Sequence, residues 1–325
     1  MTRSRRVLIS CLAVVALANC SGESMPAQRV VPTAHHFWKA RQAHGQGLLY
    51  IADAHTQVYV FTYPGTQSIG ILTPRSPGSE CADSSGHVFI TGQGDGYPTY
   101  GGVVFEYAHG GSKPLATLND GTSNPYGCSI DPITGNLAVT DSCAGSGTTQ
   151  CRGDVAIYLH AKGEPKRYVD SAIASYYYCG YDGSGDLFLD GTAGDGAFRF
   201  AELPKGATKF TNISLEVKIE KPGGVEWDGR YVAVGNQGNK IYRIDGSGGK
   251  VEGTISLSGP QRFSSLEIQQ FWIQGSILIG PGHGSSTTGY GGAGFVGFWH
   301  YPGGGSPVRN LGEIGGSGAA VSLAK

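Results

Sequence analysis

The sequence has little charge, no paired metal-ligand spacing and no apolar run long enough for a mature transmembrane helix. Asp, Glu, Lys and Arg make up 15% of the 325 residues, and 24 basic against 25 acidic residues leave a formal net charge of -1. That balance offers no basic stripe for nucleic acid and no cationic face for an anionic membrane, so both partners are excluded. No Cys-x-x-Cys or His-x-x-x-His spacing occurs, which argues against a structural zinc site. No window keeps a 3.6-residue apolar period, so almost no helix is expected. No Gly-x-Ser-x-Gly elbow is present, and Ser285 and Ser286 follow His283 in a glycine-rich loop that cannot fix a catalytic triad.

Glycine is abundant instead, at 54 residues without a collagen period. Short apolar runs alternate with glycine clusters, the pattern of a turn-rich all-β protein. One phrase recurs: a turn containing Asp or Gly, then an alternating strand that ends in a small or acidic residue. It reads Cys81-Ala-Asp83-Ser-Ser-Gly86-His-Val88-Phe-Ile90-Thr-Gly92, then Cys128-Ser-Ile-Asp131-Pro-Ile-Thr-Gly135-Asn-Leu137-Ala-Val139-Thr-Asp141. Further copies are Cys179-Gly-Tyr-Asp182-Gly-Ser-Gly185-Asp-Leu187-Phe-Leu189-Asp190 and Gly224-Val-Glu-Trp-Asp228-Gly-Arg-Tyr231-Val-Ala-Val234-Gly, with shorter ones at 49–53 and 277–280. Intervals of roughly 40–50 residues between copies mark a repeat architecture.

After each copy come a second alternating strand, a Gly- or Pro-containing turn and a shorter third strand. Four strands in each of six units predict an all-β, six-bladed β-propeller over residues 47–325. Blade one begins at Gly47 without an innermost strand, and the C-terminal 319–323 is in phase with the innermost strands elsewhere. The tail is therefore expected to complete blade one and close the ring.

Residues 1–18 read as an export signal, with Arg3, Arg5 and Arg6 before the apolar run 7–18, too short to span a bilayer. Leu17-Ala18-Asn19-Cys20 resembles a lipobox that would place lipid on Cys20, while Ala16-Leu17-Ala18 offers an ordinary signal-peptidase site. The expected location is exported: periplasmic, an outer-membrane lipoprotein or extracellular, with any membrane contact made through the lipid. Residues 19–46 read as a tether. The seven cysteines fit an oxidising compartment. Cys143 and Cys151 flank a loop without large apolar residues, and a disulfide is expected there. Cys81, Cys128 and Cys179 share one phase of the repeat; either two pair and the third stays buried and free, or all three remain thiols.

The pattern Gly-x-x-x-Asp-x-x-Gly-x-(Leu/Val)-x-(Val/Ile)-(Ala/Thr)-Asp followed by Val-x-Val-Phe-x-Tyr resembles NHL- and YVTN-type propeller repeats of exported bacterial proteins. Relatives of that fold include lactonases, lyases and binding modules, so the resemblance speaks for fold and leaves activity open.

Strand order sends the loops at 92–102, 141–153 and 280–294 to one face. Tyr97, Tyr100, Tyr126, Tyr176, Tyr177, His283 and Tyr290 are the candidate ligand-binding residues there, since aromatic faces with hydroxyls suit sugars, peptides and other amphipathic ligands. The same tyrosines can serve as wedges between blades. Asp53, Asp141 and Asp190 lie at strand ends taken as equivalent; they either cap turns or hold Ca2+ or Zn2+ in a lactonase-like hydrolase. The primary expectation is a binding module for a small molecule, glycan or protein with no catalytic residues and no cofactor.

Overall fold

The computed structural model describes residues 38, 43, 45–53, 56–94, 101–121, 124–142, 152–246, 248–260, 265–283, 294–312 and 314–324. Blade one contains β1 (Gly47–Asp53), β2 (Gln57–Tyr63) and β3 (Ser68–Leu72), and blade two β4 (Glu80–Ala82), β5 (Val88–Gln93), β6 (Gly102–Tyr107) and β7 (Pro114–Asn119). Blade three is β8 (Asn124–Ile130), β9 (Leu137–Ser142), β10 (Val155–Tyr158) and β11 (Lys166–Tyr168). Blade four is β12 (Ser175–Tyr181), β13 (Leu187–Thr192), β14 (Phe198–Leu203) and β15 (Thr211–Ile213). Blade five is β16 (Val225–Trp227), β17 (Val232–Gly235), β18 (Lys240–Ile244) and β19 (Val251–Ser256). In blade six the innermost position is divided between β20 (Glu267–Ile268) and β21 (Trp272–Gln274), followed by β22 (Ile277–His283), β23 (Gly294–His300) and β24 (Gly304–Gly312); β25 (Gly318–Ser322) comes last.

Each blade is an antiparallel sheet in chain order, except that β25 is added inside β1. Leu49 pairs with Val321 and Tyr50 with Ala320, so the C-terminal strand closes blade one as expected. The innermost strands touch in the order β25, β4, β8, β12, β16, β21 and back to β25, which completes the ring. The only helical element with described bounds is a single 3-10 turn, Leu159–Ala161.

Burial explains why these sequences became these strands. The second strand of each blade is covered on both faces: along β1, Leu48, Tyr50 and Ala52 pack toward blade two, while Leu49 and Ile51 pack toward blade six. Successive side chains of a strand point to opposite faces, so a strand sandwiched between two blades must be apolar throughout. Outermost strands meet water and alternate instead, as in β19 and β7. One apolar cluster fills each of the six blade interfaces.

Cys81 and Cys128 are joined by a disulfide that ties the innermost strands of blades two and three, and Cys179 is a buried free thiol. Cys81 and Cys128 share one interface cluster, whereas Cys179 packs in the next one, between blades three and four. The Cys143–Cys151 bridge, Cys20 and the signal at 1–18 lie outside the described residues. From the segment read as a tether, Trp38 donates its indole N–H to Gly110 O at 2.9 Å, and Ala43 is buried against blades one and two.

Candidate functional site

At the long-loop end of the axis a cavity of about 220 Å³ opens between the segments that lead into the innermost strands. Its wall includes Ser79, Gly92 and Gln93 of blade two, Asn124 and Tyr126 of blade three, Tyr178 of blade four, Gln269 and His283 of blade six, and Ser317 before β25. Among the described residues, the lining carries no Asp, Glu, Lys or Arg.

The leading segments are held by a device repeated in three blades. Thr91 Oγ1 accepts from Ser79 N at 2.9 Å and donates to Tyr126 O of the next blade at 3.3 Å. Thr140 Oγ1 accepts from Gly127 N at 2.9 Å and donates to Tyr177 O of the next blade at 2.6 Å. Asp190 is fully buried and accepts from Tyr178 N and from Gly223 N of the next blade, both at 2.9 Å. Each side chain thus satisfies backbone groups on two neighbouring blades that would otherwise be buried unpaired. Burial pushes the Asp190 carboxyl well above the usual carboxylate range despite these two amides.

Tyr126, Tyr177 and Tyr178 form an aromatic corner on this framework. Tyr126 meets Tyr177 edge-on with centroids 5.0 Å apart and Tyr178 edge-on at 5.3 Å. Burial raises the phenols of both Tyr126 and Tyr178 above their usual range. His283 Nε2 lies 3.1 Å from Gly316 O, so that nitrogen carries a proton.

The floor is built by Gln270, which reaches from blade six past blade one to blade two. Its Oε1 accepts from Ser79 Oγ at 2.7 Å and from Glu80 N at 3.3 Å, and its Nε2 donates to Glu80 O at 2.7 Å. Glu80 itself is fully buried, and burial drives its pKa well upward, against the smaller lowering effect of the Ala52 backbone. Burial thus favours its neutral form.

Of the residues expected to bind ligand, Tyr126 and His283 line the cavity and Tyr177 backs Tyr126. Tyr176 is fully buried among apolar side chains of blades three and four, its hydroxyl accepting from Asp170 N at 2.5 Å. Tyr97, Tyr100 and Tyr290 lie outside the described residues. Tyr178, Ser79 and Gln269 were absent from that expected set, although the run 176–178 and the positions just before innermost strands marked their places.

The three acids expected at equivalent strand ends separate. Asp190 lies three residues after the first apolar residue of its strand, Leu187, which is the phase of Thr91 after Val88 and Thr140 after Leu137 and one residue before the phase of Asp141. Asp53 accepts from Thr56 Oγ1 at 3.0 Å in its own turn. Asp141 joins Asp120 and Asp154 around Arg167, at 3.2, 2.9 and 2.6 Å. Burial, then the adjacent Asp120, pushes Asp141 up to about 11. Among the described residues no group of three or more His, Cys, Asp or Glu side chains is placed to hold a metal ion. The donor set expected of an axial Ca2+ or Zn2+ is therefore not assembled by Asp53, Asp141 and Asp190.

No protein-family model matches the chain, and no curated protein sequence matches it either. Solved structures do resemble it. A protein of unknown function from Bacteroides caccae superposes with TM-score 0.61 at 10% identity, covering 86% of this chain and 99% of that one. TolB from Acinetobacter baumannii gives TM-score 0.58 at 12% identity over 86% of this chain and 67% of that one. Apo AztD from Citrobacter koseri gives 0.47 at 9% identity, over 85% and 98%. At such identities the likeness establishes a shared fold and nothing about ligands.

Proposed function

We propose that this propeller is an exported binding module that takes a small, uncharged, hydroxyl-rich ligand, of the size of one sugar ring, into the axial cavity. The observation that carries the reading is the lining: amide, hydroxyl and imidazole groups around a tyrosine corner, with no Asp, Glu, Lys or Arg among the described residues. A charged ligand would lose its hydration there without gaining a counter-charge. A sugar exchanges its water hydrogen bonds for those of Gln93, Gln269 and Tyr126 and lays its C–H face on an aromatic ring. The clips from Thr91, Thr140 and Asp190 preorganise the wall, which reduces the ordering cost of binding. The Cys81–Cys128 disulfide fits the oxidising compartment implied by the N-terminal export signal.

Calorimetric titration with a panel of neutral mono- and disaccharides, beside amino acids and sugar acids, tests this reading. Neutral sugars should bind, and Tyr126→Ala should weaken them at least tenfold in protein that circular dichroism shows to be folded. Binding confined to charged ligands, or indifferent to Tyr126→Ala, would overturn it.

A further inference from the structure

We propose that the rim of blade four docks an extended peptide of alternating acidic and apolar residues, seated as an added strand on an open edge of β14. A groove of about 890 Å³ opens there, within the usual size range of ligand sites, and it shares no lining residue with the axial cavity. The groove straddles the edge of one sheet. Phe198, Leu215 and Val217 form its wall toward blade five. Arg199 and Ala172 form the wall on the other face of the sheet, toward blade three, where Ala201 and Leu203 of the same strand also point.

The edge is open because the outermost strand starts its pairing late. β15 opposes only Phe200, Ala201 and Glu202 of β14, and Ile213, opposite Phe200, is its last residue. In the other five blades the outermost strand reaches the first or second residue of the third strand, whereas here Phe198 and Arg199 are left uncovered. The alternation of an antiparallel ladder fixes which groups this frees. Ala193 N donates to Ala197 O at 2.8 Å, so Ala197 and Arg199 turn their backbone groups inward to β13, and Phe198 turns its N–H and C=O outward. After Ile213 the chain crosses to blade five, where Glu216 N donates to Gly249 O and Glu216 Oε2 accepts from Val251 N, both at 3.2 Å. Leu215 and Val217 pack into the cluster between blades four and five, so packing holds the gap beside Phe198 open.

The chemistry of the occupant follows from this edge. A peptide running in the direction of β15 continues its register, with one residue opposite Arg199 and the next opposite Phe198. The second of these exchanges N–H···O bonds with Phe198, whose carbonyl keeps a lone pair beyond the bond it accepts from Arg199 Nη1 at 2.9 Å. Opposed side chains share a face. The residue opposite Phe198 therefore lies on the apolar wall, and the one opposite Arg199 lies beside a guanidinium. Charge complementarity decides the sign of that residue. Lys218 and Glu220 in the lining engage each other at 3.4 Å. Asp170, next to the groove, accepts from Ala172 N at 2.7 Å and from Asn212 Nδ2 at 3.0 Å. Among the described residues no carboxylate pairs with Arg199, so an acidic residue opposite it supplies the missing counter-charge. Main-chain bonds then give affinity and alternate side chains give selectivity, as in strand addition generally.

The test titrates the full chain into the peptide Glu-Val-Glu-Val, labelled with fluorescein at its N-terminus and amidated at its C-terminus, and follows fluorescence anisotropy. The peptide should bind, and hydrogen exchange at the Phe198 amide should slow when it does. Replacing both glutamates by lysine should weaken binding by roughly tenfold or more, and so should N-methylation of both valines, which removes the donors to the edge. Arg199→Ala should lose about as much as the lysine peptide, in protein that circular dichroism shows to be folded, and Arg199→Lys should recover part of it. Absence of binding at millimolar peptide would overturn the proposal, as would binding indifferent to the lysine peptide, to N-methylation or to Arg199→Ala. A peptide-free chain that sediments as a dimer with the Phe198 amide already protected would give the edge to a second copy and overturn it equally.

Discussion

A Cβ on Gly318 would stand 2.6 Å from Gln270 Oε1, so the absence of a side chain on the closing strand is what lets the Gln270 amide pass to blade two. The same point lies 2.2 Å from Glu80 Oε2 and 2.9 Å from Ser79 Cα. Blades six, one and two are thereby locked at a single crossing. Gly318→Ala should cost about 1–3 kcal/mol, the usual range for overpacking a filled core. Gln270→Ala should cost about 1–3 kcal/mol by leaving the Ser79 hydroxyl and the Glu80 backbone groups unpaired. Because the two changes act on one crossing, the double variant measured by urea unfolding should be less destabilised than the sum. Strict additivity would show that the crossing is not under steric tension.

The repeat phrase made six blades and the closing strand legible, because both rest on period and phase, which are local properties of the sequence. The Gln270 crossing was not legible: it joins residues 190 positions apart and depends on a missing side chain in a third segment. The phase of Asp190 was misjudged although the sequence carried it: Asp190 comes three residues after Leu187, as Thr91 does after Val88 and Thr140 after Leu137, whereas Asp53 and Asp141 come four residues after Leu49 and Leu137. For the cysteines, equal phase left the pairing open, and only the side of the innermost strand to which each thiol points decides it. Tyr126 and His283 were legible as residues near the axial cavity because they flank strand ends on the long-loop face, whereas Gln93 and Gln269 carry no comparable signal.

The Cys81–Cys128 bridge closes a sequence separation of 47 residues. Replacing either cysteine by serine should lower stability by roughly 2–4 kcal/mol, chiefly through the freedom restored to the unfolded chain. Both cysteines are nearly inaccessible, so reductant should act only slowly on the folded protein. Cys179 should resist maleimide until the protein unfolds, since burial first, and then Asp190 and Glu226, raise its thiol pKa far above the reactive range. Rapid labelling of Cys179 in the native state would contradict its placement between blades three and four.

Asp228 supplies the clearest acid-side titration. Burial works against its ionised form, but hydrogen bonds from Tyr231 N, Tyr301 Oη, Arg243 Nε and Arg230 N outweigh it and hold the carboxyl below its usual value. A carboxylate whose folded pKa is depressed contributes stability above its unfolded pKa, near 3.9, and loses it as pH falls through the folded value. Asp228→Asn should therefore be less stable than wild type at pH 7, by about 1–3 kcal/mol for a side chain bonded to four donors. The difference should shrink between pH 4 and pH 2. A difference that stays constant over that interval would mean that the charge on Asp228 contributes nothing to the fold.

The closing strand can be tested by removing it. β25 is buried along its whole length and pairs with β1 from Leu48 to Ala52, while Ser317 N donates to Ala52 O at 2.9 Å. Deleting the chain after Gly316 would expose one face of Leu49 and Ile51 and leave the inner edge of β1 unpaired. It would also remove Ser317 from the cavity wall and Gly318 from beneath Gln270. Lost strand hydrogen bonds at about 1 kcal/mol each, together with lost apolar burial, predict destabilisation on the order of 5 kcal/mol. A synthetic peptide of residues 317–325 added in trans should restore part of that loss in a concentration-dependent way, because it binds only the folded ring. Melting of the truncated chain at the wild-type temperature would show that the ring is held by its five complete blades alone.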